Sequence, residues 1–198
     1  MNPAWLIVAG FGLAVLVLST VVARRPTISA AEAHAFHTVN GWPGWLYPIL
    51  WGPMQLGNLV VGTVIGLIAA LAFGSATAAV GVVLATGLKL VTERVVRHEL
   101  GGSLSVRQRP GTSQDDAVLR GDVPRSGPSF PSGHVILVAA IGSVLVPLLP
   151  VAWWWAPYAL ALVVAVGRVY VGAHNPLDVT AGLGAGLLAG CIVATFVS

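Results

Sequence analysis

Charge is scarce in this 198-residue sequence: Asp, Glu, Lys and Arg make up 9% of it, against 56% hydrophobic residues. A soluble domain carries about a quarter charged residues. A chain this poor in charge cannot cover a water-facing surface, so most of its surface must face lipid. Cysteine is scarcer still. Cys191 stands alone between Gly190 and Ile192, which excludes an intrachain disulfide and reads as a small packing residue. A long polar linker is missing too, so residues 1–198 read as a single domain.

Apolar runs are what the sequence has in plenty. A bilayer core takes about 20 residues of apolar helix. Runs at roughly 3–23, 48–73, 75–96, 134–149, 153–171 and 176–197 qualify. The expected fold class is an all-α membrane protein, six transmembrane helices in one bundle. The first run is long, has no positive charge ahead of it and ends at Arg24 and Arg25, so it reads as an uncleaved span, not a signal peptide. The second and third are joined by little more than Gly74 and Ser75, which makes them antiparallel neighbours. In the last run Gly182, Gly186 and Gly190 recur at helical spacing and would let another helix approach closely.

Ser29 and Glu32 form a capping box for a short amphipathic helix at the membrane surface. Trp42, Trp45 and Tyr47 follow, where aromatic residues favour the interface; Trp153, Trp154 and Trp155 mark the opposite one. The stretch 98–130 is long, polar and rich in Gly, Pro, Ser and Arg. Such a loop in a compact bundle is functional or disordered. Threading six spans puts both termini on one side and all ten Lys and Arg on the other. The acids Glu32, Glu93, Glu99, Asp115, Asp116, Asp122 and Asp178 fall there too. One face handles charge and the other does not.

Three clusters on that face suit a phosphate. In Pro131-Ser132-Gly133-His134 a tight turn feeds a helix whose first N–H groups and dipole favour an anion, and His134 could protonate a leaving oxygen. Taken alone, this also reads as a capped helix start with an incidental histidine. The second cluster is Arg168, His174 and Asp178. Asn175 and Pro176 fit the N-cap and first position of a helix, placing Asp178 in its first turn within reach of His174. A carboxylate on one imidazole nitrogen leaves the other nucleophilic. Arg168 is costly in an apolar span without a partner, and an Arg–Asp structural pair is the rival reading. The third is Lys89, Arg94 and Arg97, a point charge and forks for phosphate, with snorkelling to headgroups as the rival.

Other features are weaker. His34 and His37 lie three apart without a third ligand nearby, and Asp115 and Asp116 read as solvated loop acids. Arg107, Arg109, Arg120 and Arg125 either guide anionic headgroups or only mark topology. Arg125, close to the Pro131 turn, is the best functional candidate among them.

In this order the three clusters resemble the membrane branch of the type-2 phosphatidic acid phosphatase superfamily, whose soluble relatives include vanadium haloperoxidases. The second motif, P-S-G-H, is complete at Pro131 to His134. The third, S-R-x5-H-x3-D, is matched at Arg168, His174 and Asp178, with Gly167 in place of the serine. The first, K-x6-R-P, is matched at Lys89, but its Arg position holds Val96 and Arg97 comes one residue late. The Arg role therefore goes to Arg97, with Arg94 as substitute. The resemblance implies a metal-free, cofactor-free, two-step hydrolysis. His174 attacks phosphorus and Asp178 holds its ring. His134 protonates the departing lipid oxygen and then activates water. Lys89, Arg97, Arg168, Ser132 and Gly133 hold the phosphate oxygens, where preorganised donors matter most.

The resemblance also implies a membrane lipid phosphate and the bilayer as partners, and no nucleic acid. Family substrates include phosphatidate, phosphatidylglycerophosphate and polyprenyl pyrophosphates. The short chain and small loops look bacterial and favour a polyprenyl-linked substrate at the plasma membrane. The positive-inside rule favours a cytoplasmic active site, although many family members work on the outer face. A phosphotransferase passing the phosphate to a second lipid or sugar, and a non-catalytic lipid-binding or transport protein, remain as alternatives.

Overall fold

The computed structural model describes residues 3–25, 27–98 and 107–197, with the side chains of Pro3, Arg97 and His98 outside that description. Long helices run over α1 (Pro3–Ala23), α2 (Ala30–Asn40), α3 (Tyr47–Gln55), α4 (Leu59–Ala72), α5 (Ala76–His98), α6 (Gly133–Leu145), α7 (Ala156–Tyr170) and α8 (Pro176–Val197). The protein is all-helical, with no strand among the described residues.

The centre of the bundle is α6, whose residues from Val135 to Val144 are all buried. At 13 residues it is short for a membrane span, and Pro147 sits in the 3₁₀ turn that follows it. Against it lies α8, and the predicted glycine stripe makes that contact. A Cβ on Gly182 would lie 2.7 Å from the Ser132 carbonyl, and one on Gly186 2.6 Å from that of Ile136. Gly184, on another face of α8, packs backbone to backbone against Gly12 of α1, where a Cβ would meet the Gly12 carbonyl at 2.7 Å. Small residues thus bring three helices into van der Waals contact along their axes.

Outward faces are apolar. Ile7, Val60 and Phe196 are 73%, 67% and 81% exposed, a surface suited to lipid and unsuited to water. By length and composition, Ala4–Ala23, Val151–Tyr170 and Pro176–Val197 can each cross a membrane. The α5 helix is long enough, but Lys89, Glu93, Arg94 and Arg97 crowd its second half.

Residues 48–73, expected as one span, are broken. Helices α3 and α4 meet at 62°. Pro53 lies near the end of α3, and Asn58 restarts the chain as the N-cap of α4, its Oδ1 accepting from Val60 N at 3.0 Å and Val61 N at 3.3 Å. The break is filled: a Cβ on Gly57 would lie 2.6 Å from that of His134.

Helix α2 also departs from expectation. The Ser29 hydroxyl accepts from Glu32 N at 3.2 Å, but the Glu32 carboxylate turns away from its own helix end and accepts from Arg107 and from Leu177 N. Phe36 is buried in the core with Val135, Val164 and Val169. The helix is therefore built into the bundle on one face.

The described part of the long loop is tied down. Arg120 donates to the carbonyls of Asn40 (2.8 Å) and Tyr170 (2.7 Å) and stacks 4.2 Å over the Tyr170 ring. The buried Asn40 amide bonds Val118 on both its carbonyl and its N–H, each at 2.8 Å. Arg120 is a clamp on the loop, occupied with carbonyls.

Candidate active site

The loop, the α5 end, the α6 start and the α7–α8 turn close around a cavity of ≈ 430 Å³ lined by Asn58, Lys89, Glu93, Arg109, Asp122, Gly133, His134, Arg168 and His174, among others. A second lobe of ≈ 350 Å³ shares Asn58, Asp122, His134 and Arg168 and adds Tyr47, Trp51 and Gln55.

Each wall follows from local sequence. Lys89 and Glu93 are one turn apart on α5 and form a 2.7 Å ion pair with both side chains largely buried. Gly133 lets that pair reach the first turn of α6, for a Cβ there would run into the Glu93 carboxylate. Ser132 is the N-cap of α6, but its hydroxyl makes no capping bond and has no hydrogen-bond partner among the described residues. Its own N–H donates to the Asp178 carbonyl at 3.0 Å, which fixes the α6 start on α8.

Arg168 ends α7, where its carbonyl accepts from Ala173 N at 3.0 Å, and its buried Nε has no partner among the described residues. The chain turns at Gly172 with φ +75°, a conformation that suits glycine, and a Cβ there would meet the Val118 carbonyl at 2.8 Å. His174 follows, 3% exposed. Burial pushes its imidazole below the usual histidine range; Asp178 opposes this, while Arg168 and Arg109 add to it. A neutral imidazole has the lone pair a nucleophile needs.

Asp178 is fully buried. Its Oδ2 accepts from Asn175 N at 2.9 Å and stands 3.8 Å from His174 Nδ1, longer than a hydrogen bond. Its Oδ1 accepts from Arg107 Nε at 3.0 Å. Asn175 precedes α8 as expected, but its side chain faces the loop, accepting from Gln114 Nε2 at 2.7 Å and donating to the Gln108 carbonyl at 3.3 Å.

The structure therefore brings Lys89, Gly133, His134, Arg168 and His174 to one cavity, with Asp178 directly behind His174. Arg94 is exposed and lines neither lobe. The Arg97 side chain lies outside the described residues. Arg125 lines a separate surface cleft with Gly111 and Asp116. In its place stands Arg109, which lines the cavity and donates to the Ala173 carbonyl at 3.0 Å. Its signal was visible: Arg109-Pro110 is the Arg-Pro pair that the first motif asks for and Arg97-His98 does not supply. Glu93, Asp122 and Arg107 carried no such signal.

Known proteins share parts of this sequence and this fold. The model of the PAP2 superfamily matches residues 69–198. An undecaprenyl-diphosphatase from Sulfolobus acidocaldarius is 46% identical over 55 residues, 27% of this chain and 26% of that protein. The bacitracin transport permease protein BcrC of Bacillus licheniformis is 42% identical over 65 residues, 33% of this chain and 32% of that protein. The matched stretches thus span a third or less of those relatives. The crystal structure of Aquifex aeolicus LpxE superposes with a TM-score of 0.73 at 23% identity, covering 84% of this chain and 96% of that one. That of a transmembrane PAP2-type phosphatidylglycerolphosphate phosphatase from Bacillus subtilis gives 0.69 at 23% identity, covering 91% and 93%.

Proposed function

Because this chain belongs to the PAP2 superfamily, we propose that it is a six-span membrane phosphatase that hydrolyses a polyprenyl-linked phosphate or pyrophosphate through a phosphohistidine on His174. The observation that carries the reading is the convergence of Lys89, Arg109, His134, Arg168 and His174 on one cavity. Three cations there suit a phosphate, and the two histidines divide the roles of nucleophile and proton carrier.

In the first step His174 Nε2 attacks phosphorus while Asp178, facing Nδ1, stabilises the charge the ring acquires. The bond to the lipid oxygen breaks, and His134 supplies the proton that oxygen takes. In the second step His134 accepts a proton from water, the water oxygen bonds to phosphorus, and His174 leaves with its electron pair restored. Lys89, Arg109, Arg168, the Ser132 hydroxyl and the first N–H groups of α6 hold the equatorial oxygens. Arg97, one residue past the motif position, is assigned to the same set from the sequence alone.

The undecaprenyl-diphosphatase relative favours a polyprenyl diphosphate. So does the apolar groove of ≈ 300 Å³ between α4, α6 and α7, which begins at Leu56, next to the Gly57-Asn58 wall of the cavity. A hydrocarbon tail there stays among apolar side chains while the phosphate enters the polar lobe. The bias of Lys and Arg assigns the catalytic face to the cytoplasmic side of a bacterial plasma membrane.

The deciding experiment is phosphate release by detergent-purified protein from a panel of lipid phosphates and pyrophosphates, with EDTA present and His174→Ala in parallel. Release that survives EDTA and disappears in the variant is expected. A second phosphorylated product in place of free phosphate would make it a phosphotransferase. The Bacillus relative's name favours transport, and a His174→Ala protein that keeps its function would establish that reading instead.

A further inference from the structure

We propose that Glu32 and Arg107 are positioning residues for this hydrolysis: a buried ion pair that fixes Asp178 and sets its charge behind His174. The inference rests on the function assigned above and adds two residues that lie in none of the three motifs.

The observations are geometric. Arg107 is 2% exposed and Asp178 is fully buried. The Arg107 Nε donates to Asp178 Oδ1 at 3.0 Å, and another nitrogen of the same guanidinium donates to Glu32 Oε1. That Glu32 oxygen also accepts from Leu177 N at 3.0 Å, in the first turn of α8 and next to Asp178. Three elements remote in sequence, α2, the loop and α8, thus meet in one line of alternating charge. Glu32 is available for it only because it leaves its own helix end; the reciprocal half of the capping box stays unmade.

The line has a direction. A carboxylate buried alone would be driven toward its neutral form, and neutral Asp178 could not offset charge on His174. Arg107 supplies the compensating cation, and it keeps its charge: burial opposes it, but Asp178 and Glu32 hold its pKa above the ordinary arginine value. With Oδ1 taken by Arg107 and Oδ2 by Asn175 N, the carboxylate cannot swing, and Oδ2 stays aimed at His174 Nδ1. Glu32 partly offsets the Arg107 charge that Asp178 and His174 feel. As phosphohistidine forms, the sequence becomes negative, positive, negative, positive.

The test uses the full chain in detergent, assayed on whichever of farnesyl diphosphate and dioctanoyl phosphatidate the unaltered protein hydrolyses. Thermal unfolding is followed in parallel. Arg107→Met is expected to lower kcat about 10- to 100-fold, by analogy with the outer partners of metal-binding histidines, with KM nearly unchanged. Arg107→Lys should recover part of that loss. The acid limb of the pH–rate profile carries the sharper signature. His174 faces Asp178, Arg168 and Arg109, with His134 across the cavity. Removing the cation in Arg107→Met drives buried Asp178 toward its neutral form, so the imidazolium of His174 loses its counter-charge and the limb moves to lower pH. Glu32→Gln keeps the hydrogen bonds but frees the field of Arg107, so the limb moves to lower pH. Shifts to lower pH in both folded variants would support the proposal, and Glu32→Gln decides it if Arg107→Met does not fold. Variants that lose thermal stability but keep the kcat and pH profile of the unaltered chain would overturn it. If His174→Ala remains fully active, or neither lipid is hydrolysed, the phosphatase reading itself fails.

Discussion

At the scale of single residues, the cavity keeps water from the imidazole proposed as its nucleophile. With burial holding His174 below the usual histidine range, the imidazole stays neutral into mild acid. The acid limb of kcat/KM assigned to it is therefore expected below about pH 6.5, the ordinary histidine value, as a pH–rate series would show. His174→Ala should cut phosphate release on the order of 10³-fold or more, as loss of a nucleophile does. Arg109→Ala should reduce kcat/KM strongly while Arg125→Ala leaves it near that of the unaltered protein; comparable losses in both would return the loop arginines to a headgroup-guiding role. The contrast shows what one sequence yields. Pro131 to His134 and Arg168 to Asp178 are local in the chain, so their spacing announces them. Arg109 reaches the cavity from a loop whose path no spacing encodes, and proximity to the Pro131 turn pointed to Arg125 instead. Glu93 faces the same limit: its helical register beside Lys89 was readable, but its contact with Gly133 depends on how α5 meets α6.

At the scale of elements, the break between α3 and α4 shapes the site. A continuous helix over 48–73 would have no Gly57 turn against the His134 ring and no Asn58 at the cavity wall. Asn58→Ala removes the cap and is expected to cost about 1 kcal/mol of stability, with a larger effect on kcat than on unfolding temperature because His134 loses its backing. Gly133→Ala places a methyl where the Glu93 carboxylate sits and should destabilise by about 1–3 kcal/mol as overpacking does. A combined Gly133→Ala, Glu93→Ala protein loses the clash but strands Lys89 without its ion-pair partner, so it should recover only part of that stability in detergent melts. The apolar run hid the break because Pro53, Gly57 and Asn58 are all tolerated within membrane helices when neighbours satisfy the backbone. Glu32 misled for a related reason: its spacing from Ser29 fits a cap, and only the tertiary arrangement offers it Arg107.

On the scale of the whole molecule, composition was enough to read a lipid-facing surface, and the exposed apolar faces of α1, α4 and α8 agree with it. Side is a separate property. Ser126 is exposed on the loop, and Cys191 is the only cysteine and is buried. A Ser126→Cys, Cys191→Ala chain in intact cells should react with a membrane-impermeant maleimide only after the inner membrane is opened. Labelling without permeabilisation would put the catalytic face outside.

The backbone contact between Gly12 and Gly184 ties α1 to α8, helices far apart in sequence. On the ribosome, α1 enters the bilayer and then waits for its partner. At about 5–20 residues per second that wait lasts roughly ten to thirty seconds, during which the Gly12 face of α1 meets lipid or an insertase. Helix α8 therefore docks an α1 made long before it, and a separately expressed α1 should be able to complete a chain that begins at α2.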